Sequence, residues 1–269
     1  MKTIILPTIS VLLMITSCAK IKVEMPDSTI STASGERTQK TYNYSFDQLK
    51  VSTGITADII KAENEKIVIE APEKLMDKVK VVQKDGLVSI FIESNGIFKN
   101  ISADGNVHAT IYARDFSAVT AESAADITVR DKFLQEKMAV DVSSSGSVSG
   151  HLEANEFRIK AASAAEFTGQ IWALNLEADL SSGATVSTKG KVTNANVSVS
   201  SGSSFEGSNT SLQEADLDAS SGGSVVAGVV KRVTARASSG GSIQIRKQAA
   251  DTEVNLKESS GGSVSVSGD

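Results

Sequence analysis

A five-residue unit that opens on serine and closes on an apolar residue recurs eight times in the second half of the chain. Its copies begin at Ser123, Ser144, Ser163, Ser182, Ser201, Ser221, Ser239 and Ser260, spaced 21, 19, 19, 19, 20, 18 and 21 residues apart. Aligned on that serine, the flanking columns are ordered. Four residues after it stands Ile, Val or Phe, from Ile127 to Val264. Four before it stands Val, Ile, Leu or Ala, from Val119 to Leu256. Two before it the residue is again apolar, with Glu258 the one exception, and two after it is always Ala, Gly or Ser. Apolar positions therefore alternate with polar ones. That is the period of a strand; a helix would space them three and four apart.

A unit of this length cannot bury an apolar edge alone and must stack on its neighbours. At about 4.8 Å per rung, eight units make a rod roughly 34 Å long. The sequence thus predicts an all-β fold, a right-handed parallel β-helix or solenoid with rungs of about 20 residues and less regular N-terminal strands. Glycine would supply unusual backbone angles at the tight bend after each apolar run, and serine a hydroxyl ladder. The aromatic residues, Phe 8, Tyr 3 and Trp 1, are too few for a wide core and suit a narrow one. No proline follows Pro72, which favours long hydrogen-bonded strands. Three residues before each serine, an outward column includes Asp141, Lys160 and Asp179, then Asp218 and Arg236. Its alternating signs predict ion pairs from rung to rung, each contributing about 0.2–1 kcal/mol and disfavouring a slipped register.

The first 40 residues read as an export and anchoring segment. Met1-Lys2 precedes an apolar stretch from Ile4 to Ile15. That is shorter than the roughly 20 residues a bilayer span needs, and suits a signal peptide. Ile15-Thr16-Ser17-Cys18 resembles a bacterial lipobox, and Cys18 is the only cysteine in the chain. The resemblance implies cleavage before Cys18 and lipidation of its thiol, hence a membrane partner through acyl chains; the plainer reading is an ordinary secretory signal. With one cysteine, an intrachain disulfide is excluded. Residues 1–17 are therefore read as a lipoprotein signal peptide and 18–40 as the lipidated cysteine with a flexible polar tether. Asp27-Ser28-Thr29 resembles an O-glycosylation acceptor, but three residues are a weak signal and a plain linker is the favoured reading.

Residues 41–117 are less regular and form an N-terminal β region ahead of the repeats at 118–269. Ile67-Val68-Ile69 and Val88–Ile92 read as strands, Lys84-Asp85-Gly86-Leu87 as a hairpin turn, and Glu73–Met76 as one helical turn opened by Pro72. These strands should begin the same sheet system and cap its first rung.

This succession, Val51–Ile60, Ile67–Ile69, the EKLMDKV segment, the KDGLVSIFI hairpin and the Ser-Gly-rich repeats, resembles the head GIN domain family. These are auto-transporter adhesins by description and mostly lipoproteins of Bacteroidetes-type bacteria. The resemblance spans roughly residues 41–269, as one continuous domain, and lies in layout rather than in diagnostic residues. It implies a right-handed β-helix and a cell-envelope location, and supplies no site residues.

Chemistry is harder to place. Asp126 and Glu166, each three residues after a motif serine, should stand two rungs apart with Ser147 between them. That spacing is near the upper end for an inverting glycosidase pair, though two solvated charges explain it more simply. His151 lies seven residues past Ser144, beyond a bend, and neither it nor His108 sits near a nucleophile elbow. There is no His/Cys cluster and no calcium-roll pattern, so no metal and no cofactor are implied. Trp172 is expected to fill the core near Ile171 and Leu174, the alternative being a sugar-stacking platform. Lys plus Arg total 27 against 32 Asp plus Glu, which does not suit nucleic acid.

The favoured reading is a non-catalytic, adhesin-like binding scaffold of the cell envelope, an outer-membrane lipoprotein facing the periplasm or the surface. Its ligand would be a surface glycan or protein. A structural envelope component without a soluble ligand, and lastly a glycan-active β-helix enzyme, are the other readings. The final rung predicts self-association at the C-terminal strand edge, or its masking by N-terminal residues.

Overall fold

A computed structural model describes residues 36–93 and 107–268. Strands β1 (Arg37–Tyr42), β2 (Gln48–Ser52), β3 (Thr56–Lys61) and β4 (Lys66–Pro72) precede a one-turn helix α1 (Glu73–Met76). The hairpin β5 (Val79–Lys84) and β6 (Leu87–Ile92) follows, then β7 (His108–Ala113) and β8 (Ala118–Glu122). Six long strands come next: β9 (Asp126–Ser143), β10 (Ser147–Ala162), β11 (Glu166–Ser181), β12 (Thr185–Val199), β13 (Ser204–Ala219) and β14 (Ser224–Ala237). Three short ones close the series, β15 (Ser242–Lys247), β16 (Glu253–Glu258) and β17 (Ser263–Ser267).

The fold is the parallel β-solenoid that the repeat implies, with 72% of the described residues in strands. Each long strand stacks in parallel on the next, in the register of the sequence columns. Val140 pairs with Ile159, Ile159 with Ala178, Ala178 with Val197 and Val197 with Leu217. Burial alternates along β11: Phe167, Gly169, Ile171 and Ala173 face in, and Thr168, Gln170 and Trp172 face out. Alternation breaks at Leu174-Asn175, two non-core residues in succession, where the strand bends. Each rung therefore has a leg after the serine turn, leg A, and a leg leading to the next serine turn, leg B.

The serine turn is the device that sets the rung. All eight motif serines have φ between 49° and 58°, and the residue after each is also left-handed. A ninth copy, Thr53-Gly54, makes the same turn between β2 and β3. A left-handed conformation costs a non-glycine residue about 1–2 kcal/mol. Backbone bonding across rungs offsets it: the Ala124 N–H donates to the Ser144 carbonyl, the Ser145 N–H to that of Ser163 and the Ala164 N–H to that of Ser182, each at 3.0 Å. The ladder expected of serine hydroxyls is thus built by serine carbonyls instead, because two successive left-handed residues aim the next N–H along the stack.

Inside, size is balanced within a rung. Where the residue four after the serine is Phe, the residue two further on is glycine. A Cβ on Gly169 would lie 2.5 Å from the Phe167 ring, and one on Gly207 equally close to the ring of Phe205. Among rungs with a smaller residue at the first position, four carry Val129, Ala227, Ile245 and Val266 at the second and one carries Thr188. The rung of Val148 has Gly150 there, where a Cβ would press on Val129 of the adjacent rung at 2.6 Å. Close packing requires this compensation.

The N-terminal region belongs to the same sheet but is laid down out of order. β2 and β3 stack directly beneath β8 and the first half of β9. β6 and β7 stack on the far side of β2 and β3. Antiparallel strands then finish that end, β4 on β7, β1 on β4 and β5 on β6. The Asp85-Gly86 turn and the helical turn after Pro72 stand where the sequence puts them.

Candidate functional site

Leg B carries three outward polar columns, at three, five and seven residues before the motif serine. The third is bonded from rung to rung. Asn175 Nδ2 donates to Glu156 Oε1 at 2.7 Å, and Asn194 Nδ2 to Asn175 Oδ1 at 2.9 Å. Farther along, Arg232 lies 3.6 Å from Glu214 and 3.5 Å from Glu253. The sequence reading missed this column, although Glu156, Asn175 and Asn194 recur at the repeat spacing and could have been aligned.

In the first column the pairing is only partly as expected. Arg236 Nη1 meets Asp218 Oδ2 at 3.2 Å. Asp141 is engaged not by Lys160 but by Arg158 Nη2, at 3.2 Å, from the neighbouring column of the next rung. Among the described residues Lys160 has no ion pair. The forked guanidinium reaches diagonally across the pleat and takes the carboxylate from the lysine directly opposite.

Two grooves follow these columns. One, of about 580 Å³, runs from Thr120 to Asp218 between the first column and serines next to the turn, among them Ser181 and Ser200. It crosses six rungs, roughly 24 Å at the strand spacing. Glu122, Asp141, Asp179 and Asp218 outnumber Lys160 in its lining. Lys50, Arg158 and Arg236 pair with Glu122, Asp141 and Asp218 from its rim, so the groove is lined by fixed, largely neutralised carboxylates. The second, of about 710 Å³, lies between the second and third columns and mixes signs, with Lys137, Glu156, Arg158 and Glu177.

Leg A holds a smaller cluster. Glu153 takes a 2.8 Å ion pair from Lys132 Nζ and lies 3.0 Å from His151 Nε2. The Lys132 ammonium is the main reason that the Glu153 carboxyl is held below its usual range; burial opposes it. A carboxylate kept ionised is poorly suited to donate a proton as a general acid. His151 is thus directed to Glu153 rather than to a nucleophile, and Ser144 belongs to a left-handed turn. Asp126 and Glu166 do flank Ser147 in register, two rungs apart. Both are exposed, and Asp126 accepts the Ser147 hydroxyl at 2.6 Å. Nothing brings them together around a reacting atom.

Trp172 corrects the sequence reading. It is not core: it is 37% exposed, beside Leu174 at 41%. Its neighbours Ile171 and Ala173 take the inner positions, and strand alternation leaves Trp172 outside. The period that defines the repeat already places it there. Cys18 and Asp27-Ser28-Thr29 lie outside the described residues.

A parallel solenoid whose polar chemistry is spread along outward columns is a repeat scaffold. The chain belongs to the family described as putative auto-transporter adhesin, head GIN domain, whose model matches residues 45–249. No curated protein matches the chain. Among solved structures, a putative adhesin from Parabacteroides merdae superposes with a TM-score of 0.79 at 15% identity, covering 87% of this chain and 97% of that one. A putative adhesin from Parabacteroides distasonis gives 0.77 at 13%, with 87% and 98% covered. A protein from the same species described as a putative lipid binding protein gives 0.70 at 14%, also with 87% and 98% covered. At these identities the likeness is one of fold.

Proposed function

We propose that the chain is a non-catalytic, adhesin-like scaffold of the cell envelope, tethered to the outer membrane by lipid on Cys18, that binds an extended glycan along leg B. The observation that carries the reading is the polar groove of about 580 Å³ across six rungs, lined by carboxylates and serines. Its aspartates, Asp141, Asp179 and Asp218, recur at every second rung, with Ser143, Ser181, Ser200 and Ser220 beside the column, so the contact pattern repeats along the rod. Carboxylates accept, and hydroxyls accept and donate, which suits the hydroxyl-rich edge of a sugar chain. The Arg158–Asp141 and Arg236–Asp218 pairs fix side chains of the groove in advance and lower the ordering cost of binding.

A glycan array probed with the full-length chain tests it. Asp141→Ala with Asp179→Ala should weaken the bound glycan at least tenfold. Binding that survives this double change, or no glycan bound by the unaltered chain, would sink the reading. Anchoring is tested separately: Cys18→Ala should move the protein from the membrane to the soluble fraction. Protease shaving of intact cells then distinguishes a surface-facing chain from a periplasmic one.

A further inference from the structure

The two legs do not stop at the same height. On leg A, β15 stacks on β14 and β17 stacks on β15. On leg B, β16 stacks on β14, and no strand among the described residues pairs with its other edge. β17 therefore stands one rung beyond β16, and the end of the solenoid is a step. Core columns surface on it. Leu256 is 44% exposed although Val197, Leu217 and Ala235 in the same column are 0%. Val266 is 41% exposed above Ile245 at 0%, and Val254 and Val264 are half-buried. Neither strand has a proline, and the one charge on the inner columns is Glu258, next to the turn, whose carboxylate accepts the Val264 N–H at 2.5 Å.

We propose that this end is an interface with a second copy of the same chain, joined head to head by pairing β16 with β17 of the second copy, twice. The step selects this arrangement. If β16 paired with β16 of the second copy, each β17 would fall at the level of the other copy's β15 and collide with it. If β17 paired with its own copy, a gap two rungs deep would remain on leg B. A two-fold axis along the strand direction, between the legs, exchanges leg A and leg B. Each step then fills the other, and both edges are closed at once.

Direction and chemistry agree. β16 runs toward the Ser260 turn and β17 away from it, so the pairing is antiparallel. With the turns aligned, Leu256, four residues before Ser260, opposes Val264 of the second copy, four residues after it. Val254 opposes Val266 in the same way, so these two apolar columns run through the join, while Glu258 lies outside the opposed segment, level with Gly262 at the turn. On the outer side Glu253, Asn255 and Lys257 meet only Ser267, Ser265 and Ser263, so no like charges face each other. The opposite end of the solenoid fits poorly as a partner. Its last strand, β1, reads RTQKTY and has no apolar column to continue.

Cysteine cross-linking in the full-length chain tests the register. Opposed residues of an antiparallel pair have Cα atoms about 4.5–5.5 Å apart, within reach of a disulfide. The Asn255→Cys, Ser265→Cys double variant should form a covalent dimer on a non-reducing gel, and a mixture of the two single variants should form the mixed dimer. The unaltered chain, which keeps Cys18, is the background lane. Light scattering gives the second readout: Leu256→Asp with Val266→Asp should weaken self-association at least tenfold with an unchanged far-ultraviolet spectrum, since both side chains are already exposed. A mixture that yields no cross-linked dimer overturns the proposal. So does a dimer formed as readily by Asn255→Cys alone, which would indicate β16 on β16. A monomeric chain in which Leu256→Cys is shielded from thiol reagents also overturns it, and would assign the step to a segment of the chain's own.

Discussion

The two ends of the solenoid handle the same problem differently. A stacked sheet must leave two outer rungs, each with apolar columns facing nothing. At the N-terminal end the chain doubles back and lays antiparallel strands over the first rungs, and Ile67, Ile69, Val88 and Ile90 are all 0% exposed. Its outermost strands carry Arg37, Lys40, Lys80 and Lys84. Such edges resist further pairing. At the other end the columns simply continue to the surface at Leu256 and Val266. A column position therefore does not decide burial; the presence of a next rung does. That is the nearest-neighbour energetics of a repeat protein, seen at its boundary.

The largest expected effect tests this contrast directly. Ile69→Ala removes a fully buried side chain between β1 and β7 and should cost about 2–5 kcal/mol. Leu256→Ala, at an equivalent apolar strand position, should cost under about 1 kcal/mol. Urea denaturation of the two variants measures both. Equal losses would break the contrast and would mean that the C-terminal step is covered in solution.

Glycine gives the next comparison, between the middle of the rod and its end. Gly190 has φ +128°, and a Cβ there would press into the carbonyl oxygen of Ile171 on the adjacent rung. Gly190→Ala should cost about 3 kcal/mol from strain and displaced backbone. Gly261, in the last serine turn, has φ +76° and open space around it. Gly261→Ala should cost only the left-handed penalty, about 1–2 kcal/mol, and Ala124 and Ala164 already accept it. A thermal melt in which the two variants fall together would show that crowding between rungs adds little.

The parts of this architecture legible in the sequence are those that repeat. Period two and a fixed column spacing determine strand, register and inner face, because burying an apolar edge against identical neighbours has one solution. The turn was placed correctly but its mechanism was not: no pattern in the sequence says that serine itself is left-handed, since that follows from where the next rung's N–H must point. Trp172 was misread through its chemistry, as a large ring expected in the core, although its place in the alternation sets it outside. Arg158 reaching Asp141 was missed because a straight column ignores diagonal reach. The N-terminal rungs were the least legible. β6 and β7 stack beneath strands that precede them in the chain, and such an order leaves no periodic trace.

The smallest effect lies midway between the ends and serves as their reference. Glu153 is held below the usual carboxylate range chiefly by Lys132. The folded state therefore favours its ionised form. The stabilisation is present above the ordinary value of 4.5 and is lost as pH falls through the lower folded value. Glu153→Gln should reduce stability by about 0.5–1 kcal/mol at neutral pH. The difference from the unaltered chain should fade once the pH falls below the lowered folded value, where both states bind the proton. Melting temperatures across that range measure it, at about 2–4 °C per kcal/mol for a chain of this size. A gap that stays constant with pH would mean that the Lys132 pairing adds nothing. Because Glu153 touches neither end, the difference between Ile69→Ala and Leu256→Ala should be the same with Glu153→Gln present as without it. A change in that difference would show that one rung's charge is felt along the stack, and the ends could then no longer be treated as independent.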